Sequence, residues 1–245
     1  LVPILEEHGR DAVGVYLGNP SAHSLAGVLY GRSLIRGLGT KNLFSASTVD
    51  QRPKEISAGL MFGYAAGWPV PDLDRTDHLI ILGANPWESN GSLATAPDWP
   101  GRLEGIVERG GTVVVVDPKR TKTAEHASEH VPIRPGTDAF LLMAMVNVLF
   151  EEGLVELGAA ADCVNGVDEV RAACADFTPE AVAGLTAVDA GTIRRLTREL
   201  AAAERAVVYG RIGTCTQEFG TLASWLVGVL DALTGNLDKP GGAMW

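Results

Sequence analysis

The chain has little positive charge and no long apolar run. Its 245 residues carry 20 Lys and Arg against 30 Asp and Glu, for a formal net charge of -10. Such a chain repels a phosphate backbone, so we expect no nucleic-acid partner. The longest apolar runs, such as Val113–Val116 and Phe140–Phe150, fall short of the ~20 residues that cross a bilayer, which predicts no membrane span. A small molecule or another protein is the expected partner, and the cytoplasm is the default location.

Cysteine is also scarce, with three residues in the chain. Cys163, Cys174 and Cys215 have spacings that match neither a zinc ribbon nor a disulfide framework nor an iron–sulfur run, so we expect buried or half-buried free thiols. The glycine fingerprints GxGxxG and GxxxxGK[ST] are absent as well. Their absence argues against a simple NAD- or ATP-dependent enzyme.

Short apolar segments alternate with helical patterns along the chain. Asp77–Leu82 and Thr112–Val116 are continuous apolar runs, typical of strands buried on both faces of a parallel sheet. Further strands are predicted over Ala12–Leu17, Asn42–Ala46, His130–Ile133 and Arg205–Tyr209. The alternation predicts an α/β fold with a Rossmann-like, mainly parallel sheet flanked by helices on both faces. We expect residues 1–245 to form a single dinucleotide-binding domain.

Helical patterns lie between these strands. Ser21 is placed to cap the first helix, which Gly39 ends after Leu38. Gly63–Asp74, rich in Gly, Pro and Asp, is predicted to be a surface loop. The remaining helices are predicted over Ile56–Phe62, Arg102–Arg109, Ala139–Glu151, Glu156–Ala161, Val167–Ala175, Pro179–Leu185, Ala190–Glu204 and Thr221–Leu233.

Polar or glycine-rich loops follow four of the predicted strands, namely Gly18–Ser21, Gly83–Ser89, Asp117–Thr121 and Gly210–Gln217. The carboxyl ends of parallel strands lie on one edge of a sheet, so we expect these loops to converge there. Glycine allows close approach of a ligand, and a carboxylate such as Asp117 can accept hydrogen bonds from a ribose or a guanine. An ordinary turn at Asp117 and a surface position for Glu88 are the alternatives.

Four segments in a fixed order carry a family resemblance: Ile81–Pro86 with Glu88 and Ser89, Val115–Thr121 with Thr123 and Ala124, Pro135–Asp138, and Leu233–Leu237 with Lys239–Gly242. Their order and spacing resemble the molybdopterin-dependent oxidoreductases that carry a bis-molybdopterin guanine dinucleotide cofactor, a family that includes formate dehydrogenases and nitrate reductases. The resemblance extends over essentially the whole chain.

The resemblance implies that this region holds the guanosine and pyrophosphate end of one molybdopterin guanine dinucleotide. It places Asp117 against the nucleoside, and Gly136 and Asp138 on the guanine side. The loop 210–217 resembles the family's Gly-x-Gly-x-x-Gln loop with one residue more, so either Thr216 or Gln217 corresponds to its glutamine. The implied cofactor-binding residues are Gly83, Asn85, Glu88, Ser89, Asp117, Lys119, Arg120, Thr121, Gly136, Asp138, Arg211 and Gly213.

Family members bind molybdenum through a Cys, selenocysteine, Ser or Asp in a segment that precedes the Asn-Pro loop. The matching segment Ser45–Pro53 offers Asp50. The resemblance therefore implies that Asp50 is the catalytic residue and metal ligand, and a carboxylate suits an oxidised molybdenum or tungsten centre. A surface Asp in a polar loop is the alternative. Gln51 stands where formate dehydrogenases have His, which argues against formate as the substrate.

The resemblance also implies a longer parent protein. The iron–sulfur cysteine run of these enzymes and the domain for the second dinucleotide are absent. We expect an inactive internal fragment whose partners are missing domains of its own chain, a small redox substrate and an electron-transfer protein. A molybdenum-free scaffold domain related to the large subunit of respiratory complex I is one alternative. A free nucleotide-binding module is another.

Overall fold

The computed structural model describes residues 1–18, 21, 24–94 and 96–245. These residues group into two compact units, Leu1–Gln51 and Arg52–Trp245. The single domain expected over residues 1–245 stays a prediction. The four-stranded sheet that organises the fold lies entirely within the second unit.

The first unit contains a small parallel sheet of its own. Its elements are α1 (Val2–His8), β1 (Val15–Leu17), α2 (Leu25–Leu38), β2 (Leu43–Ser45) and α3 (Ser47–Asp50), with a 3-10 turn at Arg10–Ala12. Strand β1 pairs with β2 in register Val15↔Leu43, in a sheet separate from the four-stranded one. The prediction that the loop Gly18–Ser21 follows a strand of the main sheet is therefore wrong. Residues 19 and 20 of that loop lie outside the described residues.

Helix α2 begins at a different serine from the one predicted. Ser24, not Ser21, is its N-cap, and its side-chain oxygen accepts a hydrogen bond from the Gly27 N–H at 3.2 Å. The helix ends as predicted, because Gly39 adopts a left-handed conformation with φ of 66° directly after Leu38.

The second unit is built on four parallel strands. These are β4 (His78–Leu82), β5 (Thr112–Val116), β6 (Glu129–Val131) and β7 (Ala206–Gly210), arranged in the order β6-β5-β4-β7. Leu82 pairs with Val116 on one side and with Gly210 on the other, and Val116 pairs with Val131. All four strands therefore end at the same row. A short antiparallel pair, β3 (Val70–Pro71) with β8 (Ala243–Met244), lies in the same unit.

Helices cover both faces of this sheet, which confirms the predicted α/β architecture. Alternate side chains of β4 point to opposite faces, and both sets are fully buried: Ile80 and Leu82 on one face, Leu79 and Ile81 on the other. This double burial explains why the strand reads as a continuous apolar run. The helices are α4 (Arg52–Phe62), α5 (Pro86–Ser89), α6 (Trp99–Glu108), α7 (Lys122–Glu125), α8 (Asp138–Glu151), α9 (Val167–Cys174), α10 (Pro179–Thr186), α11 (Ala190–Ala202), α12 (Ile212–Cys215) and α13 (Gly220–Leu233).

Three of these helices begin at a side-chain cap that the sequence shows plainly. Asp98, Thr178 and Asp189 accept hydrogen bonds from backbone N–H groups three residues ahead, at 3.1, 3.2 and 2.9 Å. Pro follows directly or one residue later in the first two cases, and its fixed φ suits the first turn of a helix.

Other predicted boundaries are wrong. Glu156–Ala161 forms only a 3-10 turn at Gly158–Ala160, because the Glu156 N–H donates to the Leu233 carbonyl at 2.8 Å instead of entering a helix. Helix α4 starts at Arg52 rather than at Ile56. The predicted loop Gly63–Asp74 contains strand β3, which pairs with residues at the end of the chain.

Candidate functional site at the carboxyl edge of the sheet

The carboxyl edge of the sheet brings together residues that are far apart in sequence. Gly83, Asp117 and Arg211 each directly follow a strand, and the register puts these three strand ends side by side. The Arg211 N–H donates to the Leu82 carbonyl at 3.1 Å, which ties the loop after β7 to the end of β4. Crevices outside strand ends are the usual ligand sites of such sheets.

Gly83 and Gly213 join the loops after β4 and β7. Gly83 has a φ of +55°, and a Cβ there would lie 2.6 Å from the Gly213 Cα. The Gly213 N–H donates to the Gly83 carbonyl at 2.9 Å. The backbones of the loops after β4 and β7 come so close together that both positions require glycine, whether or not a ligand is bound.

Asn85 lies in the loop after β4, and its side chain forms hydrogen bonds within the protein. Its side-chain oxygen accepts hydrogen bonds from the Thr123 hydroxyl at 2.7 Å and from the Thr123 N–H at 3.3 Å. Glu88 forms an exposed ion pair with Lys122, and Ser89 is exposed at the end of α5. These contacts hold the loop after β4 against the loop after β5. The predicted cofactor contacts of these three residues stay predictions.

The loop after β5 carries a half-buried carboxylate next to exposed cations. Asp117 Oδ1 accepts the Lys119 N–H at 2.8 Å, whereas Oδ2 has no hydrogen bond in the described part of the chain. Burial raises the pKa of Asp117 above its usual value. Lys119 and Arg120 are exposed, and Thr121 caps α7 by accepting the Ala124 N–H at 3.2 Å.

A second carboxylate lies close to Asp117 at the start of α8. Asp138 is buried, and burial together with the negative charge of Asp117 raises its pKa, while a hydrogen bond from Gln217 opposes that rise. Gln217 Nε2 donates to Asp138 Oδ2 at 2.8 Å. Gly136, with φ of +80°, has open space where a side chain would be.

Gln217 and Thr216, the two alternatives in the loop 210–217, make different contacts. Its side chain reaches Asp138 at this edge, whereas the Thr216 hydroxyl donates to the Ile212 carbonyl within its own turn. Gln217 Oε1 is buried and has no partner among the described residues. Arg211, in the same loop, is buried.

His130 is an edge residue that the sequence reading missed. Its Nε2 lies 2.9 Å from the Asp117 carbonyl and fixes the backbone next to the carboxylate. His130 is the middle residue of strand β6. The alternation of polar and apolar residues along a strand does not predict a contact with the end of the neighbouring strand β5.

Asp50 belongs to the first unit and ends helix α3, whereas the sequence predicts a polar loop there. It is half-buried, and its N–H donates to the Ala46 carbonyl at 3.2 Å. Within the described residues, no group of three or more His, Cys, Asp or Glu side chains is placed to hold a metal ion.

The three cysteines are free thiols in the structure. Cys174 and Cys215 are buried, as predicted, but Cys163 is exposed because it lies in the turn before α9 rather than in a regular element. No helix in residues 1–18, 24–94 and 96–245 is both long enough and apolar enough to cross a membrane.

The chain matches a known protein family. The family model described as molybdopterin oxidoreductase matches residues 1–245, so the chain belongs to the molybdopterin oxidoreductase family. The family relation implies a molybdenum or tungsten pterin cofactor. It also confirms the family predicted from the sequence motifs.

Relatives of this chain have names that describe different activities. Formate dehydrogenase H of Escherichia coli (strain K12) is 28% identical over 98% of this chain and 33% of its own length. A nitrate reductase of Symbiobacterium thermophilum is 30% identical over 97% of this chain and 32% of its own length. The chain thus spans about a third of the length of these relatives.

A solved structure shares the fold. Acetylene hydratase from Pelobacter acetylenicus superposes with a TM-score of 0.75 at 25% identity, over 96% of this chain and 31% of that chain. The described activities of these relatives differ, so likeness alone does not select a substrate for this chain.

Proposed function

We propose that the carboxyl edge holds the guanosine and pyrophosphate end of one molybdopterin guanine dinucleotide in a molybdenum or tungsten oxidoreductase. The supporting observation is a pair of acceptor atoms at this edge without hydrogen bonds in the described chain, Asp117 Oδ2 and Gln217 Oε1. A guanosine offers complementary donors, the ribose hydroxyls and the guanine N–H groups. A buried acceptor without a partner costs free energy that such a donor offsets.

The chemistry of the remaining edge residues fits the same ligand. Lys119 and Arg120 are exposed cations in the loop after β5, and they would attract a pyrophosphate despite the formal net charge of -10. Asp138, oriented by Gln217, would accept hydrogen bonds from the guanine side. Gly136 leaves open space beside it. Gly83, Asn85 and Gly213 shape the loops, and Arg211, Glu88, Ser89 and Thr121 complete the proposed set.

We assign the metal ligand to Asp50 in the same proposal. When bound, the metal supplies oxygen-atom or hydride-equivalent transfer, while this chain binds and orients the dinucleotide. The relatives are about three times as long as this chain, which supports a requirement for further domains. We expect one of these domains to carry an iron–sulfur cluster. We therefore expect the 245-residue chain alone to be inactive. The substrate and the redox partner belong to the parent protein.

The test of the edge is the cofactor content of the purified full-length protein. Asp117→Ala removes a charged acceptor worth about 1.5–3 kcal/mol, so guanine nucleotide released by acid and metal per polypeptide are both expected to fall by more than about half. Asp168→Ala is the matched control, because Asp168 is 89% exposed on α9. Equal nucleotide content in the Asp117→Ala variant and the wild type would contradict the proposal.

The test of the metal ligand is X-ray absorption on the full-length protein. Asp50→Ala is expected to change the metal–oxygen shell, whereas Asp168→Ala leaves it unchanged. Identical shells in wild type and Asp50→Ala would exclude Asp50 as a ligand and leave the dinucleotide proposal standing.

A further inference from the structure

A cavity lies between helices α4 and α13 and strand β7, and none of the residues proposed to bind the cofactor lines it. It is small, with a volume of about 30 Å³, which is room for about two water molecules. Apolar walls come from side chains such as Met61, Trp68 and Val227, but Lys54, Ser57, Ser224 and Asp231 also line it. An apolar cavity that contains an amine, a carboxylate and two hydroxyls is not an ordinary packing defect.

Asp231 is the charged residue of the otherwise apolar helix α13. It is 2% exposed, and its Oδ1 accepts the Val208 N–H at 2.8 Å. Burial raises the pKa of Asp231 above its usual value, while the Val208 N–H and the positive charge of Lys54 oppose that rise.

Lys54 faces Asp231 from helix α4 and is itself buried, at 8% exposure. Its Nζ lies 5.7 Å from the centre of the Tyr209 ring, on β7. Burial lowers the pKa of Lys54 to about 8, the positive charge of Arg211 acts in the same direction, and Cys215 and Asp231 oppose it. The segment 68–71 and Ala243 add no titratable side chain to the cavity.

The two buried charges do not touch each other. In the described chain, no nitrogen–oxygen distance of 4.0 Å or less joins Lys54 Nζ to the Asp231 carboxylate, and neither side chain forms an ion pair with another residue. Burying an ammonium and a carboxylate without a bridge is costly. Since the space between them is polar and large enough for water, hydrogen-bonded water is the group that can satisfy both.

We propose that water bound in this cavity bridges Lys54 Nζ and the Asp231 carboxylate, so that the two residues form a buried proton-exchange pair. A proton leaves Nζ for the bridging water as that water gives one to the carboxylate, and the products are a neutral amine and a neutral carboxylic acid. The reverse transfer restores the two charges, and no other bond changes.

Burial brings the proton affinities of the two groups closer together, which makes the exchange easier than between an exposed lysine and an exposed aspartate. The pair also lies near Arg211 in the loop after β7, and the neutral form of Lys54 removes a repulsion on that side chain. The pair is a site in its own right and does not depend on the proposed cofactor role of the sheet edge.

A crystal structure of the protein at a resolution that shows ordered water is the first test. We expect a water within hydrogen-bond distance of Lys54 Nζ and linked to Asp231 directly or through one more water. A dry cavity, or an ammonium and carboxylate in direct contact, would overturn the proposal.

The second test measures the protonation of Lys54 through its rate of trace acetylation against pH, read by mass spectrometry in the folded full-length protein. The midpoint is expected near 8 in the wild type. It is expected to be lower by at least about half a pH unit in Asp231→Asn, because the carboxylate stabilises the ammonium. Asparagine retains an oxygen for the Val208 N–H, so this hydrogen bond is kept in the variant.

Exposed Lys41 is the internal control in the same samples, and its rate of acetylation at each pH should be the same in both proteins. An Asp231→Asn midpoint equal to that of the wild type would show that the two groups are not coupled. If Asp231→Asn fails to fold, the wild-type protein still decides the matter, because a Lys54 midpoint at the ordinary lysine value of 10.5 overturns the proposal.

Discussion

Gly83 and Gly213 each occupy the space where the other's side chain would be. A Cβ added to Gly83 would lie 2.6 Å from the Gly213 Cα, and a Cβ added to Gly213 would lie 2.6 Å from the Gly83 Cα. Gly83 also has a φ of +55°, whereas the φ of Gly213 is not positive. Steric contact therefore requires glycine at both positions, whereas backbone conformation requires it only at Gly83.

The first prediction uses this difference. Gly213→Ala tests contact alone and should lower the free energy of unfolding by roughly 1–3 kcal/mol. Gly83→Ala adds the cost of a positive φ and should lower it by roughly 2–4 kcal/mol. Denaturant unfolding of each variant measures the loss.

Gly136→Ala is the control for the conformational part. Gly136 has φ of +80°, but a Cβ added there would have no other atom within 4 Å, so the substitution should cost about 1 kcal/mol. A loss for Gly213→Ala no larger than that for Gly136→Ala would mean that the loops after β4 and β7 separate easily.

The second prediction concerns Asp138. Because burial raises the pKa of this carboxyl, its ionised form destabilises the cofactor-free fold at neutral pH. Asp138→Asn should therefore stabilise the cofactor-free protein by about 0.5–2 kcal/mol at pH 7, and the gain should shrink as pH falls through the pKa of Asp138. Thermal unfolding across the acidic range measures the gain.

The same substitution should lower the cofactor content if Asp138 binds the guanine side. Asp168→Asn, on exposed α9, should change neither quantity. A variant that is less stable than the wild type at pH 7 would show that the carboxylate contributes to the fold rather than to a ligand.

The sequence predicted the fold best where local pattern and burial coincide. Strand Thr112–Val116 was predicted to the residue, because a strand covered on both faces must be apolar at every position. The prediction that Gly83 and Asp117 lie at the same edge of the sheet is also confirmed, because neighbouring parallel strands end on one side. The sequence pattern of β1 is similar to that of the other strands, but β1 pairs with β2 in a separate sheet. Strand pairing depends on long-range contacts, which the local sequence pattern does not predict.

Side-chain contacts across long sequence separations were the part that could not be predicted. Gln217 and Asp138 are 79 residues apart, and nothing local to either residue specifies the contact. Lys54 and Asp231 were missed for the same reason, although one signal was present: Asp231 interrupts an otherwise apolar helix. A lone charge on a buried helix face is a useful sign of a buried polar site.

The third prediction concerns Arg194, which connects three helices. From α11 its guanidinium donates to Glu151 on α8 at 2.9 Å and to Glu180 on α10 at 3.0 Å. Arg194→Ala should lower the free energy of unfolding by about 1–2 kcal/mol, more than an isolated surface pair contributes, because one guanidinium serves several carboxylates. Unfolding at low salt and at about 1 M salt should show a smaller loss at high salt.

Arg36→Ala is the control for Arg194, because Arg36 is exposed on α2. Its effect should be within about 0.5 kcal/mol at either salt concentration. Equal effects of the two substitutions would mean that the cluster around Arg194 adds nothing to the packing of the three helices.

The last prediction follows from the buried amine of Lys54. Its pKa is about 8 in the folded protein and 10.5 in the unfolded chain, so between these values the unfolded chain holds a proton that the folded protein lacks. Raising the pH through that window therefore favours the folded state, and the wild type should gain up to roughly 3 kcal/mol relative to Lys54→Met. Below pH 8 the difference between the two proteins should be constant. Thermal unfolding from pH 7 to pH 10.5 measures it, and Lys41→Met, which removes an exposed lysine, is the matched control. A flat difference between wild type and Lys54→Met would mean that Lys54 keeps its ordinary pKa and that the cavity is more hydrated than its walls suggest.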